Sequence, residues 1–70
     1  MIGQKLKQRR LDLKLSRVGA AEKIGISGRM LFLIESGENF SIKTLRLICD
    51  VYNMDFDVFV RENEAELPKD

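Results

Sequence analysis

Arginine, lysine and carboxylate side chains carry most of the chemistry open to this 70-residue sequence, and they are unevenly distributed along it. Residues 1–48 hold ten basic side chains (Lys5, Lys7, Arg9, Arg10, Lys14, Arg17, Lys23, Arg29, Lys43, Arg46) and four acidic ones (Asp12, Glu22, Glu35, Glu38), a net +6. Residues 49–70 hold Arg61 and Lys69 against Asp50, Asp55, Asp57, Glu62, Glu64, Glu66 and Asp70, a net −5, so the total of +1 conceals a divided molecule. A cationic front suits a polyanion, whose phosphates ammonium and guanidinium groups can contact. Catalysis finds no comparable support. Histidine is absent, which removes the usual general base near neutral pH. Cys49 is the one cysteine, and its helical position makes it a small buried apolar residue with no imidazole to activate it. Neither a glycine-rich phosphate loop nor a cysteine/histidine metal spacing occurs, so no cofactor, metal or small-molecule substrate is expected. Glu62, Glu64 and Glu66 alternate without the glycine turn of a calcium loop and read as solvated charge.

Helices must position the cations. The only proline is Pro68, and Ile2, Leu6 and Leu13 recur at helical spacing, which predicts a first helix over residues 2–13. Ser16 caps a second helix running to Ile24, with Val18, Ala21 and Ile24 facing inward. Gly25 supplies a left-handed turn, Ile26 plugs inward, and Ser27 caps a third helix over residues 28–36, which Gly37 ends. Ser41 caps a fourth helix with Leu45, Ile48 and Tyr52 on one face, and Asn53 takes the left-handed exit. Asp55 caps a short fifth helix in which Phe56, Phe59 and Val60 look inward. Alternating strand patterns and internal repeats are absent. The fold class is therefore all-α: a compact five-helix domain over residues 1–61, followed by an acidic, flexible tail at 62–70.

Composition sets the limits of that fold. A chain of this size hides roughly 60% of the surface it exposes when unfolded, so its core is thin. The longest apolar run, residues 30–34, is far short of a bilayer span, and no secretory signal follows Met1. A lone cysteine fits a reducing, cytoplasmic setting. Arg10 interrupts the apolar stripe between Leu6 and Leu13; a buried arginine needs an acid, and Glu35, beside the inward Leu31 and Ile34, is the natural partner.

Within residues 17–36 the spacing is that of a helix-turn-helix. Ala21 is small enough to let a second helix approach, Gly25 tolerates positive φ, and Ile26, Leu31 and Ile34 hold the two helices at a steep angle. The third helix then projects its amino-terminal face outward, where backbone N–H groups and side chains can meet phosphates and base edges. With Ile2-Gly3, Leu6, Lys7, Arg10, Leu15-Ser16, Ser27, Glu35, Gly37, Ser41, Thr44-Leu45, Ile48 and the segment at 56–60, the chain resembles the phage-repressor-like helix-turn-helix domains (Cro/repressor or xenobiotic-response-element type). The resemblance spans residues 2–60.

That resemblance implies a lambda-repressor-like bundle and a sequence-specific transcriptional regulator of the repressor type, bound as a homodimer to a palindrome in double-stranded DNA. Carried over by position, Ser27, Gly28, Arg29, Phe32 and Leu33 face the major groove. Arg17 approaches the DNA backbone where the family often has glutamine, and Asn39 and Lys43 contact phosphate or the minor-groove edge. Arg10 and Glu35 correspond to a buried ion pair in the family. Arg29 is the best candidate for base readout, because a guanidinium pairs with guanine O6 and N7; a phosphate contact is the alternative for it. Lys5, Lys7, Lys14 and Lys23 read as solvated.

Departures from the family pattern point elsewhere. The third helix carries Gly28-Arg29-Met30-Leu31-Phe32-Leu33 where its relatives carry polar readers. Exposed Phe32 and Leu33 can touch thymine methyl groups, or can form a protein contact surface. The alternative function is therefore an interaction module such as an antitoxin, with a toxin as its protein partner. Leu47 and Val58 stand where polar residues are common and are candidates for a partner or dimer surface. Gly19, inside the second helix, costs about 1 kcal/mol relative to alanine. The acids of the fifth helix and tail are expected to lie away from Arg17 and Arg29.

Overall fold

A computed structural model describes residues 1–67. Among them are five α-helices and no strand: α1 (Ile2–Asp12), α2 (Arg17–Ile24), α3 (Gly28–Glu35), α4 (Ile42–Val51) and α5 (Phe56–Glu62), then a 3-10 turn at Glu64–Glu66. The helices are short, and local chemistry defines the starts of α2 to α5 and the ends of α1 to α4. Ser16, Ser27 and Ser41 each accept the amide of the residue three positions on, Gly19, Met30 and Thr44, at 2.9, 3.0 and 3.1 Å. Asp55 Oδ1 accepts the Val58 amide at 3.1 Å. Each such cap contributes about 1 kcal/mol to a helix too short to persist alone.

The first four helices end in one shared way. After each, a residue with positive φ turns the chain, and the next amide donates back five residues, to Arg10, Ala21, Leu33 or Cys49. Three of the turning residues are the expected Gly25, Gly37 and Asn53, at φ 91°, 105° and 56°. The fourth is Lys14 at φ 59°, a residue that nothing in its type marks for the left-handed region.

Leu6, Leu31, Ile34, Leu45, Ile48, Cys49 and Tyr52 are fully enclosed and form the centre of the core. Two expectations about that core need correction. Val18 is 64% exposed and Leu13 lies at the surface, whereas Ala20 is wholly buried beside Ala21. α2 therefore packs through its two alanines, which suits a helix that must lie against both α3 and α4. Gly3 plays the same part in α1: a Cβ there would stand 2.5 Å from the Ile34 carbonyl oxygen and 2.9 Å from that of Glu35, so α1 crosses the end of α3 at backbone distance.

The acidic segment is held at several points among the described residues. Asn63 is buried; its Nδ2 donates to the Phe59 carbonyl at 2.8 Å, and its Oδ1 accepts from Lys5 Nζ. The α-amino group of Met1 meets Glu66 at 3.6 Å, and Leu67 packs against the core. Residues 68–70 of that expected tail lie outside the described residues. No helix among the described residues is long and apolar enough to cross a membrane.

Candidate nucleic-acid interface

Two residues, Ile26 and Ser27, separate the left-handed Gly25 from the start of α3. The Ile26 amide returns to the Ala21 carbonyl at 3.0 Å and its side chain packs against the core. Ser27 then starts α3 on a neutral cap. Leu31, Ile34 and Glu35 are buried, Met30 and Leu33 are half-buried, and Arg29 and Phe32 face solvent. Met30 thus belongs to the core margin, and of the apolar pair placed on the reading face only Phe32, 47% exposed, is open.

Glu35 fixes α3 to α1. Arg10 Nε donates to its Oε2 at 2.7 Å, Nη2 to its Oε1 at 3.2 Å, and Nη1 to the Leu15 carbonyl at 2.8 Å. This two-pronged geometry is what a buried guanidinium requires, and both partners are almost wholly enclosed. The Glu35 carboxylate holds the Arg10 pKa above its usual value, against the opposing effect of burial. Tyr52 stands near the same pair. Its hydroxyl has no hydrogen-bond partner among the described residues, and burial, with the Glu35 charge, pushes its pKa up to about 12. Burial likewise pushes the Cys49 thiol up, which leaves it inert as a nucleophile near neutral pH.

On the outer side the electrostatics are set by what is missing from the helix starts. α2, α3 and α4 have serine caps and no acid in the first turn, so the positive ends of their backbone dipoles are uncompensated. Gly28, the first residue of α3, has open space where a side chain would begin, so a ligand can approach the backbone there closely. Arg29, next to it, is exposed and forms no ion pair among the described residues. Lys43 lies exposed in the first turn of α4. Asn39 is exposed too, but it shares a recess of about 90 Å³ with Glu38 and Glu66, whose charges oppose an anion.

Arg17 is held more firmly than its position at the start of α2 suggests. Its Nε is buried 3.5 Å from Glu35 Oε1, and its guanidinium carbon lies 5.1 Å from the centre of the Phe32 ring. The structure thus brings Arg17, Phe32 and Glu35 together. No carboxylate of α5 or the 3-10 turn comes within ion-pair distance of Arg17 or Arg29.

Several cations counted in the front half are committed inside the fold. Besides Arg10, Arg9 donates from Nε to the Tyr52 carbonyl at 3.0 Å and from Nη2 to that of Asn53 at 3.4 Å, closing the end of α4. Lys5, expected to be solvated, is bound to Asn63. The net +6 therefore overstates the charge available to a partner. Sequence reasoning missed these roles, since both join residues far apart in the chain and neither disturbs the apolar pattern. Leu47 and Val58 are exposed at 44% and 43%. Leu47 borders a groove of about 350 Å³ lined also by Cys49, Met54 and Phe56, and Arg46 lies over the Phe56 ring at 4.3 Å.

Comparison with known families decides the class. A family model described as helix-turn-helix matches residues 6–59, from the middle of α1 into α5. The chain belongs to that family. It is a helix-turn-helix domain of the phage-repressor type, a DNA-binding class, and α2, the turn and α3 form its helix-turn-helix. No curated protein and no solved structure shows a significant match to the chain.

Proposed function

We propose that this protein is a sequence-specific transcriptional regulator that lays α3 in the major groove, acts as a repressor and binds a palindromic operator as a homodimer. The carrying observation is the start of α3: a neutral serine cap, an open Gly28, and the exposed Arg29, without an ion pair among the described residues and with no acid in the first turn. Arg29 reads a guanine edge, with Ser27, Gly28, Phe32 and Leu33 around it. Arg17 and Lys43 meet the sugar-phosphate backbone, without Asn39, whose recess is acidic, and Leu47 and Val58 supply the contact between copies. Selection of duplexes from a random pool at low salt tests this directly. An enriched palindrome whose affinity falls steeply with salt supports the reading, and a pool with no enriched sequence refutes it. Replacing Arg29 by alanine relaxes base preference at one position of each half-site by about 1–3 kcal/mol.

A second reading rests on the exposed Phe32. An antitoxin-like module uses the same ring, with Leu33, as an anchor for a protein such as a toxin. Polar substitution of Phe32 and Leu33 then abolishes complex formation while non-specific DNA binding persists.

A further inference from the structure

Arg17 at the start of α2 and Phe32 in the middle of α3 touch one another. The Arg17 guanidinium stands 5.1 Å from the Phe32 ring centre, within cation–π range, and its Nε faces Glu35 Oε1 at 3.5 Å. Nε is buried while the side chain as a whole is 40% exposed, and its Nη groups make no hydrogen bond among the described residues. A ring on one side and a carboxylate at the inner edge hold the guanidinium in a defined place, with its donors open to an anion.

We infer that Phe32 and Glu35 are positioning residues that hold Arg17 as a pre-formed clamp for one backbone phosphate. This rests on the DNA-binding reading above and gives Phe32 a role other than reading thymine methyl groups or docking a protein. A free arginine loses side-chain entropy when it closes on a phosphate; a stacked and ion-paired one has already lost it. Glu35 is suited to the task because Arg10 anchors it from the core side at 2.7 and 3.2 Å, so it cannot follow Arg17 outward. The Phe32 ring is suited because it is attached to α3 itself, so the clamp keeps its register with the reading helix.

A double-mutant cycle on duplex binding by the full chain tests this, with Arg17→Gln, Phe32→Leu and the pair, each confirmed as folded by its thermal melt. Arg17→Gln lowers affinity about tenfold and reduces the slope of log affinity against log salt by about one phosphate's worth, near 0.9. Phe32→Leu keeps an apolar side chain without a ring face; it lowers affinity several-fold in the wild type and has no further effect beside Arg17→Gln. Phe32→Tyr, which keeps the ring, keeps the salt slope of the wild type and the coupling to Arg17, whatever its hydroxyl does to overall affinity. If Phe32→Leu weakens binding equally with and without Arg17, the ring acts on its own and the clamp is refuted. If the wild type binds DNA but Arg17→Gln leaves the salt slope unchanged, the clamp alone is again refuted. A wild type that binds no duplex removes the DNA-binding reading as well.

Discussion

The starts of α3 and α5 are built alike and charged oppositely. Ser27 accepts the Met30 amide at 3.0 Å, and Asp55 accepts the Val58 amide at 3.1 Å. As caps they do the same thing: each satisfies one orphan donor and fixes where a short helix begins. The residues after the cap differ. α3 continues with Gly28 and Arg29 and has no acid in its first turn, whereas α5 continues with Phe56 and Asp57. A carboxylate at a helix start stabilises the dipole by roughly 0.3–1 kcal/mol, so α3 forgoes stability that α5 takes. The difference teaches that capping geometry and capping charge vary independently here: the geometry starts the helix in both, and on the proposed DNA-binding reading the missing charge at α3 leaves room for a phosphate. α2 and α4 resemble α3 in this respect, each with a serine cap and no first-turn acid.

The contrast depends on a rigid frame, and the frame is most easily broken at Glu35. Its replacement by alanine leaves Arg10 buried beside one carbonyl and costs about 3–5 kcal/mol, a large share of the stability of so small a domain. A thermal melt followed by circular dichroism reads this as a drop in Tm of well over ten degrees, or as loss of the cooperative transition. Binding at the α3 start falls with it, because the helix is no longer pinned to α1.

Alkali strains the same region through Tyr52. Its folded pKa of about 12 lies above the unfolded value near 10, so the unfolded chain gives up the phenolic proton first. The stabilisation is complete below about pH 10 and disappears as pH rises towards 12, a loss of about 2–3 kcal/mol by linkage. Tyr52→Phe removes that part of the pH dependence. It also costs little at neutral pH, since the hydroxyl it deletes has no partner among the described residues. Urea unfolding at stepwise increasing pH distinguishes the two proteins; parallel curves contradict the assignment.

Gly3 sets how closely α1 approaches α3. Alanine there meets two backbone carbonyl oxygens that cannot rotate away, and its expected cost is about 1–3 kcal/mol, measured as a lowered denaturation midpoint with an unchanged slope. Smaller still is Asp55→Ser, which gives α5 the kind of start that α3 has. It lowers stability by less than about 1 kcal/mol, and on the proposed reading, in which α3 and not α5 faces DNA, it leaves duplex affinity unchanged.

Local chemistry made much of this molecule readable in advance. Ser16, Ser27, Ser41 and Asp55 cap helices because the bond involved spans three residues, and Gly25, Gly37 and Asn53 end them because their types permit positive φ. Lys14 was not legible: its conformation is imposed by the return of the Leu15 amide to the Arg10 carbonyl, not by its side chain. The phase of α2 is hidden in its sequence, since Ala20 carries little hydrophobic signal and Val18 carries much, although packing distance favours the smaller residue. Arg10 and Glu35 were legible as a charge on an apolar stripe with one nearby acid. Lys5 with Asn63 and Arg9 with the end of α4 were not, because polar contacts between distant residues leave no period in the sequence. In the candidate interface, Arg17 and Phe32 each stood out as departures, but only their proximity in space relates them.

The central claim is that the neutral start of α3 faces DNA, and Ser27→Asp tests it most directly. Aspartate caps as well as serine, so the fold and its Tm are retained while a negative charge is placed at the helix start. Compared with the wild type at one fixed salt concentration, the variant is expected to bind duplex DNA at least about tenfold more weakly, like charge meeting phosphate. Equal affinity in a folded Ser27→Asp protein would show that DNA lies elsewhere and would contradict the account.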